Sequence, residues 1–388
     1  MTQANYGRRL AETRQRMASA ELDALLIASQ YNRRYLTGFT PTDGDITESS
    51  GLALVTMSGL YLITGTFSIS GLEHEIEPSG AELLLTDKTT AAAVLAQAAK
   101  DQGFRRLGFE KDWMSYGRYE RLRKALDEEV EMIPSDDLAE AVRVVKDEAE
   151  IAAIRHAGEV ADAAFAQLIT ELRPGMTERQ IALRLEMLMR EGGATEPSFP
   201  TIVACGPGGA LPHWVPSDRE AREGEPLLID FGARVDGYCS DITRTFVLGE
   251  PDAKLVEVYH IVRAAQDAAE QALAAGAKRG RDVDAAARKV IADAGYGEQF
   301  MHGVGHGLGM AVHELPAATY LKTTEPEEDE QLAKIEGISV GMMITVEPGI
   351  YIPGWGGVRL EDFVLVRDGG IEILCQRNPE DILRVPVR

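Results

Sequence analysis

The chain has 388 residues, 45% of them apolar and 26% charged, a length that one hydrophobic core does not ordinarily support and that reads as two globular domains. With 40 Lys+Arg against 62 Asp+Glu, the formal charge of −22 argues against nucleic acid or an anionic membrane as partner. Three widely spaced cysteines, Cys205, Cys239 and Cys375, suggest neither a disulfide framework nor a thiolate metal site.

The first residues, "MTQANYGRRLAETRQRM", are polar and mixed in charge, with no apolar signal core, so the cytoplasm is the expected location. Residues 5–19 read as a helix and "ALLIA" (24–28) as a strand. Residues 50–72 carry no charge, but "LALVTM" and "LYLITG" flank an "SG" turn, which predicts two buried strands rather than a membrane span. "AAAVLAQAAKDQG" predicts a helix ending at Gly103, "RLGFE" a strand, "YGRYERLRKAL" a helix and "VEMIPS" a strand. This alternation predicts an α/β domain over residues 1–146. From 147 to 388 the pattern changes to long helices at about 148–171, 178–192, 253–275 and 281–294, with glycine-rich strands at 226–249, 301–314 and 342–367. Thr177 and Gln180 form a capping box for the second helix. Grouped helices and strands predict an α+β domain, and the acidic run 323–331 a solvated loop.

Three segments carry the chemistry. In "LLIDFGARVDGYCSDITRTFVLG" (227–249), two apolar runs flank a turn signal. A hairpin centred near Val235–Asp236 puts Asp230 and Asp241 opposite or diagonal to each other, on one face. In "TVEPGIYIPGWGGVRLEDFVLV" (345–366), Glu347 and Glu361 are fourteen apart about Gly354 and project to one side; Arg359 shares the face of Glu361 and is the natural ion-pair partner for it. "MHGVGHGLGMAVHE" (301–314) places a glycine at every second position from 303 to 309. A helix there would lose on the order of 1 kcal/mol per glycine, so an extended chain is expected, with His302 and His306 to one side and close backbone or ligand approach on the other. Buried carboxylates need a partner. Two Asp, two Glu and one or more His are too many for one tetrahedral ion; they suit two hard or borderline divalent ions, Mn²⁺ before Co²⁺ or Zn²⁺.

These residues resemble a known family. D-F-G…D-G-Y-x-S-D-x-T-R-T at 230–245, H-G-x-G-H-G-x-G…H-E-x-P at 302–316, E-P-G-x-Y…V-R-x-E-D at 347–362 and "EPSFPTIVACGPGGALPH" at 196–213 look like the Xaa-Pro peptidases, proline-specific relatives of methionine aminopeptidase. The resemblance implies an α+β pita-bread catalytic domain preceded by an α/β creatinase-like N-terminal domain, and a homodimer. It implies that Asp230, Asp241, His306, Glu347 and Glu361 hold two divalent ions, with Asp241 and Glu361 bridging. Asp230 would hold one ion, and His306 and Glu347 the other. Glu347 would also shuttle the proton from attacking water to leaving amine. His213, His302 and His313 would hold the scissile carbonyl and the proline, which leaves His302 outside the metal shell. Arg359 would brace Glu361 or meet the substrate carboxylate. The implied reaction is hydrolysis of the Xaa-Pro imide bond in dipeptides, the alternative being an aminopeptidase acting on longer peptides. An ectoine-type hydrolase and a non-enzymatic binding protein are further readings on the same frame. Prolidases of this family often carry an arginine directly after H-E-x-P; here the chain runs Pro316-Ala317-Ala318-Thr319-Tyr320. That leaves Arg359, or Arg33 and Arg34 in a loop at 29–45 that would shorten the site, to grip a dipeptide's carboxylate.

Overall fold

The computed structural model describes residues 5–135, 137–319 and 335–387, so the acidic run 323–331 lies outside the described residues. The chain divides into two compact units, one ending at Arg143 and the other beginning at Val144.

The N-terminal unit is built on a six-stranded sheet of order β4-β3-β2-β1-β5-β6. Its strands are β1 (Ala24–Ile27), β2 (Leu52–Thr56), β3 (Leu60–Thr64), β4 (Glu82–Leu85), β5 (Arg106–Glu110) and β6 (Glu131–Ser135). All neighbours are parallel except those of β2. β1 to β3 are buried along their whole length, which is why their sequence is continuously apolar rather than alternating. Leu26, Leu54 and Leu107 of the sheet pack with Leu95 of helix Ala91–Gln102 and Leu122 of helix Tyr116–Ala125. Two elements escape the sequence pattern. β4 is a half-exposed edge strand, so it buries too little to show a period. The expected 29–45 loop begins as a helix, Gln30–Thr37, capped by Ser29 and closed by left-handed Gly38. Arg33 in that helix does not present itself to a substrate. It is fully buried and binds Asp43 at 3.0 and 3.1 Å, the Gly51 carbonyl at 2.7 Å and the Pro41 carbonyl at 2.7 Å.

The second unit carries helices Glu148–Glu171, Glu178–Glu191, Ala253–Ala274 and Gly280–Asp293, and both Asp147/Glu150 and Thr177/Gln180 form capping boxes. The strands are β7 (Glu196–Pro197), β8 (Ile202–Cys205), β9 (Pro226–Phe231), β10 (Ala233–Val235), β11 (Tyr238–Cys239), β12 (Ile242–Leu248), β13 (Gly305–Gly307), β14 (Glu314–Ala318), β15 (Met343–Val346), β16 (Gly349–Ile352), β17 (Gly356–Arg359), β18 (Asp362–Arg367), β19 (Gly370–Ile373) and β20 (Leu383–Val385). They form sheets of order β20-β12-β9-β8 and β14-β13-β15-β18-β19, with smaller sheets β11-β10-β7 and β16-β17. Val258, Val262 and Ala269 of helix Ala253–Ala274 lie in one core with Ile344, Val358 and Val364 of the sheets. Among the described residues no helix is long and apolar enough to cross a membrane, and all three cysteines are free thiols.

Candidate metal centre

Each carboxylate pair is placed by one hairpin register. β9 pairs with β12 so that Asp230 faces Thr243 and Phe231 faces Ile242. The same register continues as Arg234 facing Cys239 and Val235 facing Tyr238. Asp241 is therefore diagonal to Asp230 on the same face. The turn is Asp236–Gly237, one residue later than expected; both residues have positive φ, 52° and 86°, which the twist of a two-residue hairpin demands.

The second hairpin keeps one register from end to end. Val346 faces Asp362 and Gly349 faces Arg359, so Glu347 and Glu361 stand opposite each other about Gly354. Thr243 Oγ1 donates to Glu361 Oε2 at 2.7 Å, joining the two hairpins.

His306 enters on β13, between β14 and β15. A Cβ on Gly305 would fall 2.0 Å from the Thr345 carbonyl oxygen, and one on Gly307 2.0 Å from that of Leu315. The flanking glycines thus admit neighbouring backbone, and the strand is short because the chain leaves the sheet on both sides. His306 Nδ1 lies 3.0 Å from the Gly307 carbonyl, which can only accept, so Nδ1 carries the proton and Nε2 is left as a lone pair. That lone pair faces Asp241 Oδ2 at 3.6 Å and Glu347 Oε1 at 3.4 Å. Ligating atoms of Asp241, His306 and Glu361 all lie within 4.8 Å of one another.

Such a grouping of acceptors calls for a cation. Burial, then Glu361, Asp230 and Glu347, push the Asp241 carboxyl well above the usual carboxylate range. Burial, then Glu347 and Asp230, do the same to Glu361. Burial also raises Glu347 and depresses His306. Asp230 Oδ1 and Glu361 Oε1 are buried with no hydrogen-bond partner. The donor set, carboxylate oxygens plus one unprotonated imidazole nitrogen, fits a divalent ion.

Arg359 departs from expectation. Its guanidinium braces Asp230, not Glu361: Nη2 is 2.6 Å from Asp230 Oδ2, and Nε is 3.1 Å from Thr243 Oγ1. Nη1 donates to the Tyr351 hydroxyl at 2.9 Å; that hydroxyl lies 2.7 Å from His302 Nε2, and His302 Nδ1 lies 2.7 Å from the Gly303 carbonyl. His302 thus lies outside the strand, with its Nε2 engaged by the Tyr351 hydroxyl. Tyr351, Thr243 and Thr345, which accepts from the His306 backbone N–H at 3.0 Å, escaped sequence reasoning because a hydroxyl on a strand carries no spacing signal.

Asp230, Asp241, His306, Glu347, Glu361, Arg359, His213, His302 and His313 all line one cavity of about 620 Å³. His313 is exposed and meets His306 edge-on, ring centroids 4.4 Å apart. His213 is also exposed; the next residue, Trp214, donates its indole N–H to Glu178 at 2.8 Å. Glu178, fully buried at the start of its helix, also accepts from Cys205 N, Ser217 N and Ser217 Oγ. Phe199, Trp214, Val215 and Val312 make the apolar wall.

Two family models match the chain: metallopeptidase family M24 over residues 152–368, and the creatinase/prolidase N-terminal domain over residues 9–145. A protein named Xaa-Pro dipeptidase from Pyrococcus horikoshii is 37% identical, over 94% of this chain and 95% of its own. Among solved structures, an Xaa-Pro dipeptidase from Bacillus anthracis matches with a TM-score of 0.87 at 35% identity, over 98% of this chain and 100% of that one. An X-Pro aminopeptidase from Thermotoga maritima matches with a TM-score of 0.82 at 33% identity, over 96% of this chain and 100% of that one.

Proposed function

Because the chain belongs to metallopeptidase family M24, with a pita-bread catalytic domain behind a creatinase-like N-terminal domain, we propose that it hydrolyses the imide bond of Xaa-Pro dipeptides. The observation that carries this reading is the Asp241–His306–Glu361 cluster, with its orphaned oxygens and its imidazole lone pair turned inward.

Asp230, Asp241, His306, Glu347 and Glu361 hold two divalent ions, with Mn²⁺ preferred. Five side chains exceed the tetrahedral demand of one ion, and the three carboxylates left unpaired by Arg359, with the free Oδ1 of Asp230, supply negative charge for more than one. Bound there, the ions supply a water-derived nucleophile at neutral pH and polarise the scissile carbonyl. The chain's own groups do the rest. Glu347, whose Oε1 lies 3.4 Å from both His306 Nε2 and Thr345 Oγ1, takes the proton of the attacking water and returns it to the proline nitrogen. That transfer is essential, because an imide nitrogen has no hydrogen and leaves poorly as an anion. His302 is held through Tyr351 to receive the substrate, while His213 and His313 address the carbonyl and the ring from the exposed side. The apolar wall of Phe199, Trp214 and Val215 receives the pyrrolidine.

Similarity to proteins named Xaa-Pro dipeptidase supports the dipeptide. The absence of an arginine after the H-E-x-P element and the similarity to an X-Pro aminopeptidase support the second reading, longer peptides. Rates on Xaa-Pro and Xaa-Pro-Yaa, measured on chelator-stripped protein with Mn²⁺, Co²⁺ or Zn²⁺ restored, separate them. Preference for the dipeptide by an order of magnitude or more is expected. Equal rates on tripeptides discard the dipeptidase, and activity untouched by chelation discards the metallopeptidase.

A further inference from the structure

The N-terminal unit holds a second cavity, of about 720 Å³. It opens at the carboxyl ends of β3 and β4, where Thr64, Gly65 and Thr86 line it, and at the first residues of antiparallel β2. Mostly parallel sheets bind ligands outside this edge of the strands.

Its charge is the reverse of the molecule's. None of the seventeen lining residues is acidic, whereas Arg118, Arg121 and Lys124 all belong to it, in a chain where acids outnumber bases 62 to 40. The three come from one helix, Tyr116–Ala125, at intervals of three that share a face. Among the described residues none of the three has an ion-pair partner. The carboxylate that acts on half-buried Arg118, Asp43, is itself held by Arg33 at 3.0 Å. Unpaired like charges lining one hollow repel each other, and an anion between them removes the repulsion. The first residues of helix Ala91–Gln102, Ala91 and Ala92, also line the hollow and add backbone N–H groups without intrahelical partners. Leu52, Ile63 and Leu122 supply an apolar floor.

We propose that this cavity is a binding site for an organic phosphate with two or more negative charges, a nucleoside diphosphate or triphosphate being the class that fits. Three cations exceed what one carboxylate neutralises. The volume exceeds a bare phosphate, and the apolar floor offers a surface to the organic part.

The test is isothermal titration of the full-length, chelator-treated protein with ADP, ATP, pyrophosphate and inorganic phosphate. Saturable binding of ADP or ATP is expected, stronger than that of either inorganic anion. In the triple variant Arg118→Gln/Arg121→Gln/Lys124→Gln the affinity should fall about tenfold or more, with circular dichroism and dipeptide turnover unchanged. Glu361→Gln should bind ADP as the wild type does, which keeps the second site distinct from the metal centre. Absence of saturable binding, equal binding by the triple variant, or loss of binding in Glu361→Gln overturns the proposal. Pyrophosphate binding as tightly as ADP overturns the organic part of it.

Discussion

Arg359 and Asp230 are bound at 2.6 Å across 129 positions of sequence, so the guanidinium that lines the metal cavity is fixed to one carboxylate and leaves Asp241, Glu347 and Glu361 to be neutralised otherwise. The same guanidinium holds Tyr351, and through it His302.

Arg359→Lys should therefore be a damaging exchange. A single ammonium cannot reach Asp230, Thr243 and Tyr351 together as the planar fork does. Turnover of a proline dipeptide is expected to fall about 10- to 100-fold, the range for partners that orient ligands. Metal content by mass spectrometry should stay near that of the wild type; a variant with unchanged turnover would show that the network does not orient the site.

Metal binding should stabilise the fold in proportion to the charge it relieves. Adding Mn²⁺ to stripped protein at 100 times its Kd adds about 2.7 kcal/mol, read as a rise in melting temperature. Glu361→Gln removes a fully buried carboxylate of the cluster and should abolish most of that rise, along with turnover. A rise of the same size in the variant would place the ion elsewhere.

Glu178 reaches the cavity only through others: its four accepted hydrogen bonds pin the segment that carries His213 and Trp214. Glu178→Ala leaves these donors unmatched, at about 1–3 kcal/mol each for those that stay buried. The loosened wall should raise KM for the dipeptide more than it lowers kcat. Steady-state kinetics read the split, and an unchanged KM would show the wall to be held by packing alone.

In the N-terminal unit, burial and then the charge of Glu140 push Glu110 up to about 7. Its folded pKa lies above the unfolded value of 4.5, so the folded state keeps a proton that the unfolded chain has released. The stabilisation is complete below pH 4.5 and is lost as pH rises toward 7, at up to about 1.4 kcal/mol per unit. Hydrogen exchange of the segments around Ser29 and Glu110, whose backbone and carboxylate are joined at 2.6 Å, should accelerate over that window beyond its intrinsic pH dependence. Glu140→Gln should reduce the excess by removing the neighbouring charge, leaving the part due to burial. An identical excess in the variant would leave burial as the whole cause.

Much of the site was legible because a strand has a period of two. Glu347 and Glu361 sit symmetrically about Gly354, and the observed register keeps that symmetry. The Asp230–Asp241 hairpin tolerated a misplaced turn, since opposite and diagonal positions share a face; the Asp236–Gly237 pair, with its positive φ values, was the better turn signal. The partner of Arg359 was not legible, because ranking Asp230 against Glu361 requires knowing how two separate hairpins meet. The buried role of Arg33 was hidden in the same way: its anchors at Pro41, Asp43 and Gly51 lie in a segment without periodicity.

The hydrogen bond from Thr243 to Glu361 closes a separation of 118 residues, and its consequence is one of timing. As the chain leaves the ribosome, Asp230 and Asp241 emerge long before the strand that completes their surroundings. A nascent chain that ends before Glu361 therefore lacks part of the centre, which can form only after most of the sequence has been made.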